Sequence, residues 1–176
     1  FDGARGNGSS GVKVKDTSPG DNSLYYTLPS IMDGLDVNLS YQPQGSGRES
    51  ATGYGFAYTG FEGLTAKFAL TDKETGAAGT SGDDTVIMVE YAYGPVTVSA
   101  SEKDYDVETA SDQEVSSYAI SYTVSDELSV TVGSETSTKG GATTDLEIEG
   151  ITIAYTTGGM TISAISNATV TVILDK

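Results

Sequence analysis

The sequence predicts an all-β protein in which about ten antiparallel strands follow one another up and down along the chain. Three observations predict this fold class: repeated hairpin patterns, two chemically different faces on each strand, and connections that alternate between short and long. The hairpin pattern is clearest in residues 84–101, where two alternating runs flank a turn at Gly94-Pro95. Its apolar positions are Ile87, Val89, Tyr91, Tyr93, Val96 and Val98, with small or polar residues between them. Such alternation is typical of a strand with one apolar face.

Similar runs cover the chain from residue 22 onward. We place strands near 22–28, 35–41, 51–59, 64–71, 85–93, 96–101, 115–124, 128–134, 146–156 and 160–165. Short connections alternate with long, mostly acidic ones near 42–50, 72–83, 102–114 and 135–145. This asymmetry between the two ends is typical of outer-membrane barrels, which have short periplasmic turns and long extracellular loops.

The two faces of the predicted strands differ throughout. In residues 35–41, LDVNLSY, the large apolar side chains alternate with Asp36, Asn38 and Ser40. The second set is too small and polar to fill the core of a sandwich, but it suits a wall that faces water. The apolar face then has to meet lipid. The sequence therefore predicts a transmembrane antiparallel up-and-down β-barrel.

Aromatic residues concentrate near the ends of the predicted strands, on the apolar face. Those near the short turns are Tyr58, Phe61, Tyr91, Tyr93, Tyr122 and Tyr155, and those near the long loops are Tyr41, Tyr54 and Tyr118. This placement favours two interfacial girdles. The alternative is that tyrosine is simply a good strand residue.

The alternation changes parity at Gly150. Leu146 and Ile148, which precede it, have the opposite parity to the apolar residues from Ile151 onward. A β-bulge at Gly150 would keep both groups on the outer face and turn the intervening glutamates inward. Alternatively, the strand begins only at Ile151. The sequence leaves both alternatives open.

Composition excludes several function classes. The 176 residues contain 25 Asp and Glu against 9 Lys and Arg, a net charge of −16, and no His, Cys or Trp. Such a negative charge disfavours nucleic acid as a partner. The absence of Cys and His excludes thiolate nucleophiles, a Ser-His-Asp triad and Cys/His zinc sites. We predict no enzymatic activity, no cofactor and no metal centre.

The acidic loops raise one question about cations. Their carboxylates could bind Ca²⁺ weakly, or bridge lipopolysaccharide through divalent ions. However, they lack the ligand spacing and the glycine of a calcium loop. Solvated acidic loops are the favoured interpretation.

Residues 21–41, DNSLYYTLPSIMDGLDVNLSY, resemble a recurrent stretch of the Gram-negative general porins. There an Asn-Ser pair and a short aromatic strand lead through Pro and a Gly turn to an alternating strand that ends in Tyr. The segment is also similar to marine alphaproteobacterial porins. The resemblance implies a homotrimeric, 16-stranded barrel in the cell outer membrane, in contact with lipid and lipopolysaccharide, that lets small hydrophilic solutes and ions diffuse passively.

The resemblance also divides the chain. Residues 22–176 would be barrel hairpins, and residues 1–21 would be a loop, the tail of the inward-folded segment that narrows the pore. Asp2, Arg5, Lys13 and Lys15 are then the constriction-loop candidates, although a solvated surface loop explains them equally well. About six strands of such a barrel would precede residue 22, and the sequence ends without the family's terminal aromatic residue. We expect the chain to be a piece of a longer protein.

Four charged residues share the small-polar parity and are candidate pore-lining residues: Lys67, Glu90, Lys103 and Glu135. A lysine on the lipid face would cost about 2–4 kcal/mol at mid-depth, which favours the inward direction. For Lys103 and Glu135 a loop position beyond the membrane is an equal alternative.

The rival class is a secreted or surface-exposed β-rich protein, either an adhesion sandwich or a fibre-forming component. A sandwich would pack two apolar faces together, and exposed strand edges could assemble into fibres. The fate of the apolar face separates these classes.

Overall fold

A computed structural model of the protein describes residues 24–43, 50–74, 81–108 and 112–173, and within these ranges ten strands form a single antiparallel sheet. Each strand pairs with the next one along the chain, and β1 and β10 are the two edges. The strands are β1 Leu24–Thr27, β2 Leu35–Gln42, β3 Ala51–Tyr58, β4 Leu64–Lys73, β5 Gly82–Tyr93, β6 Val96–Val107, β7 Gln113–Thr123, β8 Leu128–Lys139, β9 Thr144–Thr157 and β10 Met160–Ile173. The predicted up-and-down, all-β fold is confirmed. Over the same residues no helix is long and apolar enough to cross a membrane.

The strands extend further than predicted at one end of the sheet. β6 continues to Val107 and β8 to Lys139, so the connections that follow them span only 108–112 and 140–143. The predicted long connections at 102–114 and 135–145 are therefore wrong in their bounds. The physical reason is that the period of two does not stop with the apolar residues. In residues 102–107, acidic side chains alternate with Lys103, Tyr105 and Val107, which still fits a strand.

Neither alternative at Gly150 is correct. β9 begins at Thr144, and its register with β8 and β10 advances one residue at a time through Gly150 without a bulge. Leu146 and Ile148 therefore lie on the same face of the sheet as Met88 and Glu135, which we call the inner face. Ile148 is 5% exposed there. Glu147 and Glu149, at the alternate positions, lie on the opposite, outer face. Along this one regular strand, the large apolar residues move from the inner face before Gly150 to the outer face after it, which explains the change of parity in the sequence.

The short turns depend on glycine. Gly34 and Gly63 have φ angles of 76° and 78°, in the left-handed region that favours a residue without a Cβ. Each turn is also bonded to a neighbouring segment: Thr59 N donates to Gly34 O at 2.7 Å, and Ala92 N donates to Gly63 O at 2.8 Å. Adjacent hairpins are thus tied together at this end of the sheet.

The outer face of the sheet exposes large apolar side chains. Examples on successive strands are Phe56, Phe68, Val89, Val98, Ile120, Val132 and Ile153, each more than a third exposed. Phe56 and Phe68 are register partners whose ring centroids lie 6.1 Å apart. A continuous exposed apolar face of this extent indicates contact with lipid or another apolar partner.

The buried apolar side chains lie on the opposite, inner face. They include Met88, Tyr105, Val107, Val115 and Ile148. The prediction of a small, polar inner face is correct for much of the sheet, but these larger residues occupy it where the strands extend toward the longer connections.

The aromatic residues follow the predicted direction. Tyr91, Tyr93, Tyr122 and Tyr155 lie on the outer face near the short turns and are exposed, as is Tyr118 toward the other end. Their position at the margins of the apolar face is that of interfacial side chains.

Candidate functional site

The inner face of the sheet carries all four lysines among the residues that the structure describes. They are Lys67 and Lys73 on β4, Lys103 on β6 and Lys139 on β8. The register assigns this face, because Lys67 lies opposite Met88, and Lys103 lies opposite Val86 and Val115. Four carboxylates of the described strands share the face: Asp36, Asp84, Glu90 and Glu135. The inner face is therefore rich in charge and balanced between the two signs.

Two of the predicted pore-lining residues are close neighbours. Glu90 on β5 lies directly opposite Thr65 on β4, and Lys67 is two positions further along the same strand. Residues in this diagonal relation are about 7–8 Å apart, so a long charged side chain on one can reach the side chain of the other. Lys67 is exposed and Glu90 is partly exposed. Both can therefore act on ions in the water beside this face.

Lys103 and Glu135 lie within strands rather than in loops, so the alternative loop placement is wrong for both. Lys103 Nζ forms an ion pair with Asp84 Oδ2 at 3.1 Å. Glu135 is 7% exposed and lies between Ser117 and Ile148 on the adjacent strands. The structure thus places all four predicted residues on one face, as two exposed or partly exposed charges and two that are more enclosed.

Asp84 is the site residue that sequence reasoning missed. It begins the alternating stretch 84–101, but it is not among the predicted pore-lining charges because the predicted strand begins only at residue 85. Its parity carries the missing signal, since Asp84 is four residues from Met88 and six from Glu90, all on the inner set. A strand extended to residue 82 would have placed it there.

Hydroxyl groups on neighbouring strands pair with each other on the inner face. Ser101 and Ser117 are hydrogen-bonded across β6 and β7 at 2.7 Å, and Ser121 and Thr131 are bonded across β7 and β8 at the same distance. These pairs give the wall short side chains whose polar atoms are already partnered. Such a surface is compatible with contact with water.

The outer face is acidic above its apolar part. No lysine of the described strands lies on this face. Nine carboxylates of those strands do: Asp72, Asp83, Glu102, Asp104, Asp106, Glu114, Asp145, Glu147 and Glu149. Asp83 is directly opposite Asp72 on one side and Asp106 on the other. It precedes the first large apolar outer residue of its strand, Ile87, and so lies outside the membrane-spanning segment. Partial burial, followed by the charges of Asp72, Asp106 and Glu74, raises the pKa of Asp83 above its ordinary value of 3.8.

Replacing Asp83 with Asn is expected to stabilise the fold at neutral pH. The raised pKa means that the native state binds the proton more tightly than the unfolded chain does. The contribution of Asp83 is therefore most favourable below pH 3.8 and is lost as pH rises through the folded-state value. The urea midpoint of the D83N variant should exceed that of the wild type at neutral pH, and the difference should vanish below about pH 3. Asp36→Asn, whose partner on β3 is Ala57, is the matched control. Equal gains from both variants would contradict the role of the opposed carboxylates.

Three of the outer carboxylates approach one another closely. Oxygens of Glu102, Asp104 and Glu114 lie within 4.8 Å of one another, and all three residues are exposed. They stand on strands rather than in the loops where the sequence placed them. Weak Ca²⁺ binding by this acidic region stays a prediction.

The constriction-loop candidates Asp2, Arg5, Lys13 and Lys15 fall outside the residues that the structure describes. The same is true of the predicted loop at 1–21 and of its boundary at residue 22. Their assignment to a pore-narrowing segment stays a prediction.

The sequence model of the Gram-negative porin family matches residues 1–170, which is nearly the whole chain. No curated protein matches it. The family is a channel family without enzymatic activity, and the match gives no support to an adhesion or fibre-forming protein.

Proposed function

The chain belongs to the Gram-negative porin family, and from this premise we propose that its inner face lines the lumen and sets which ions pass. An outer-membrane porin is a β-barrel channel through which small hydrophilic solutes and ions diffuse. The observation that supports this proposal is the chemical difference between the two faces of the sheet. Every lysine of the described strands is on one face, and the apolar residues on the other are exposed.

The proposed mechanism is passive diffusion with electrostatic selection. A solute meets hydroxyl groups, small side chains and the charges of Lys67 and Glu90 along the wall. In water, a unit charge about 7 Å away changes the energy of a passing ion by about 0.6 kcal/mol, which is a factor of about three in permeability. Lys67 and Glu90 would tune ion preference in this way, and the more enclosed Lys103 and Glu135 would contribute from within the wall together with their neighbours. No chemical step and no cofactor are required.

The assembly is part of the proposal. A homotrimer of 16-stranded barrels, with residues 1–21 narrowing each lumen through Asp2, Arg5, Lys13 and Lys15, is the arrangement that the sequence resemblance implies. Outer-membrane lipid would cover the apolar face. The nine outer-face carboxylates beyond the apolar region would contact lipopolysaccharide through bridging divalent cations, because carboxylates and anionic headgroups repel each other directly.

Neutralising Glu90 and Lys67 tests the lumen assignment. In planar bilayers under a KCl gradient, Glu90→Gln is expected to move the reversal potential toward anion preference and Lys67→Gln toward cation preference. Each should change the permeability ratio by about threefold. Glu149→Gln on the outer face is the matched control and should leave the ratio unchanged.

The same recordings test the assembly. Unit steps that appear and close in groups of three would support the trimer, whereas independent single steps would contradict it. If Glu149→Gln shifts the ratio as much as Glu90→Gln, or if Glu90→Gln and Lys67→Gln shift it in the same direction, the inner face does not line the conducting path.

A further inference from the structure

One inner-face charge pair is built differently from the other charges of that face. Lys103 on β6 and Asp84 on β5 stand diagonally across the two strands, with Lys103 Nζ 3.1 Å from Asp84 Oδ2. Their side chains are only 23% and 8% exposed. Lys67, in contrast, is an exposed side chain on the same face.

Large side chains flank the pair on two sides, and Thr71 of β4 lies opposite Asp84 on a third. Tyr105 lies directly opposite Asp84 and is 7% exposed, and Val115 lies opposite Lys103 on the other side and is 8% exposed. Opposite charges attract more strongly in such surroundings than in open water. At a distance, the two charges cancel, so the pair as a whole presents little net field to the lumen. A lysine without its carboxylate would present a full positive charge from the same place.

We propose that Asp84 is a specificity-determining residue of this porin. Its carboxylate neutralises Lys103 within the wall and so prevents Lys103 from favouring anions in the lumen. The inference rests on the proposed function, because it requires the inner face to line the lumen. In this arrangement Lys103 does not act as an isolated cation. The ion preference of the wild type depends on the exposed charges, and the Lys103–Asp84 pair is neutral as long as both residues are present.

The proposal predicts opposite effects for the two halves of the pair. Asp84→Asn is expected to shift the cation-to-anion permeability ratio toward anions by about threefold, and Lys103→Gln to shift it toward cations by a similar factor. The double variant D84N/K103Q removes both charges and is expected to return to the wild-type ratio. A purely structural role for the pair, such as holding β5 against β6, would not produce shifts of opposite sign.

Two control variants separate this inference from the proposed function. Glu102→Gln removes the same charge as Asp84→Asn from the residue next to Lys103, but on the outer face, and should leave the ratio unchanged. Glu90→Gln reports whether any inner-face charge acts on permeating ions.

The full protein from outer membranes, carrying each substitution, is recorded as single channels under a KCl gradient. A shift for Glu90→Gln without one for Asp84→Asn overturns the inference and leaves the proposed function standing. Conducting channels in which neither variant shifts the ratio overturn both. A D84N shift matched by E102Q, or shared in direction with K103Q, also overturns the inference. If Asp84→Asn alone yields no channels, the double variant is compared with Lys103→Gln: a shift of the double variant toward anions supports the inference, and equal ratios overturn it.

Discussion

Lysine in place of Val98 is expected to lower the free energy of unfolding in a bilayer by about 2–4 kcal/mol, whereas lysine in place of the adjacent Ser99 is expected to cost little. Val98 lies on the outer face of β6 between Tyr91 and Ile120 and is 42% exposed. In the membrane its surroundings are hydrocarbon, which solvates an ammonium group poorly. Ser99 lies on the inner face opposite Glu90. There, water and the Glu90 carboxylate can solvate the ammonium group of the introduced lysine.

The two variants form a matched pair because they introduce the same side chain at the same depth on opposite faces. Folding into lipid vesicles at increasing urea, followed by far-UV circular dichroism since the chain lacks tryptophan, measures both. A loss at Ser99 equal to or larger than the loss at Val98 would contradict the assignment of the faces.

The strand pattern could be predicted from the sequence because the physical signal was strong. In a barrel wall one face meets lipid and the other meets water, so the period of two is unusually clear in segments such as 87–93. Each of the ten predicted strands overlaps a strand of the structure. Gly94-Pro95 and Gly158-Gly159 marked turns at the correct positions.

The ends of the strands at the acidic side could not be predicted as well. Beyond the apolar band both faces are polar or mixed, so hydrophobicity no longer separates them. Residues 102–107 show the difficulty: Glu102 and Asp104 suggested a loop, although Lys103 and Tyr105 between them continue the alternation. Asp84 was missed for the same reason. Charge identity at alternate positions, rather than hydrophobicity, was the informative signal there.

The candidate site was predictable only in part. Parity in the sequence was enough to place Lys67 and Glu90 on the inner face, and the register confirms that placement. Parity alone could not show that Lys103 is held by a carboxylate on the neighbouring strand. Such a pair depends on strand register, because Asp84 and Lys103 are far apart in the chain.

Alanine at Gly63 is expected to destabilise the barrel strongly, because it combines an unfavourable backbone conformation with a backbone clash. Gly63 has a φ of 78°, and a Cβ built there would overlap Ala92 O, an atom of the β5 backbone. The left-handed conformation costs an L-residue about 1–2 kcal/mol. Displacing the backbone that crowds the new methyl group adds about 1–3 kcal/mol. The hydrogen bond from Ala92 N to Gly63 O would be strained at the same time.

Gly94 provides the control for this effect. Its φ is 56°, but a Cβ there would meet nothing within 4 Å. Gly94→Ala should therefore show only the conformational cost, and the difference between the two variants in urea unfolding from vesicles isolates the contact between the β3–β4 turn and β5. Equal losses for G63A and G94A would mean that the turn does not pack against β5 in the membrane. A larger loss for G63A would show that the short turns stabilise the barrel by contact between neighbouring hairpins as well as by reversing the chain.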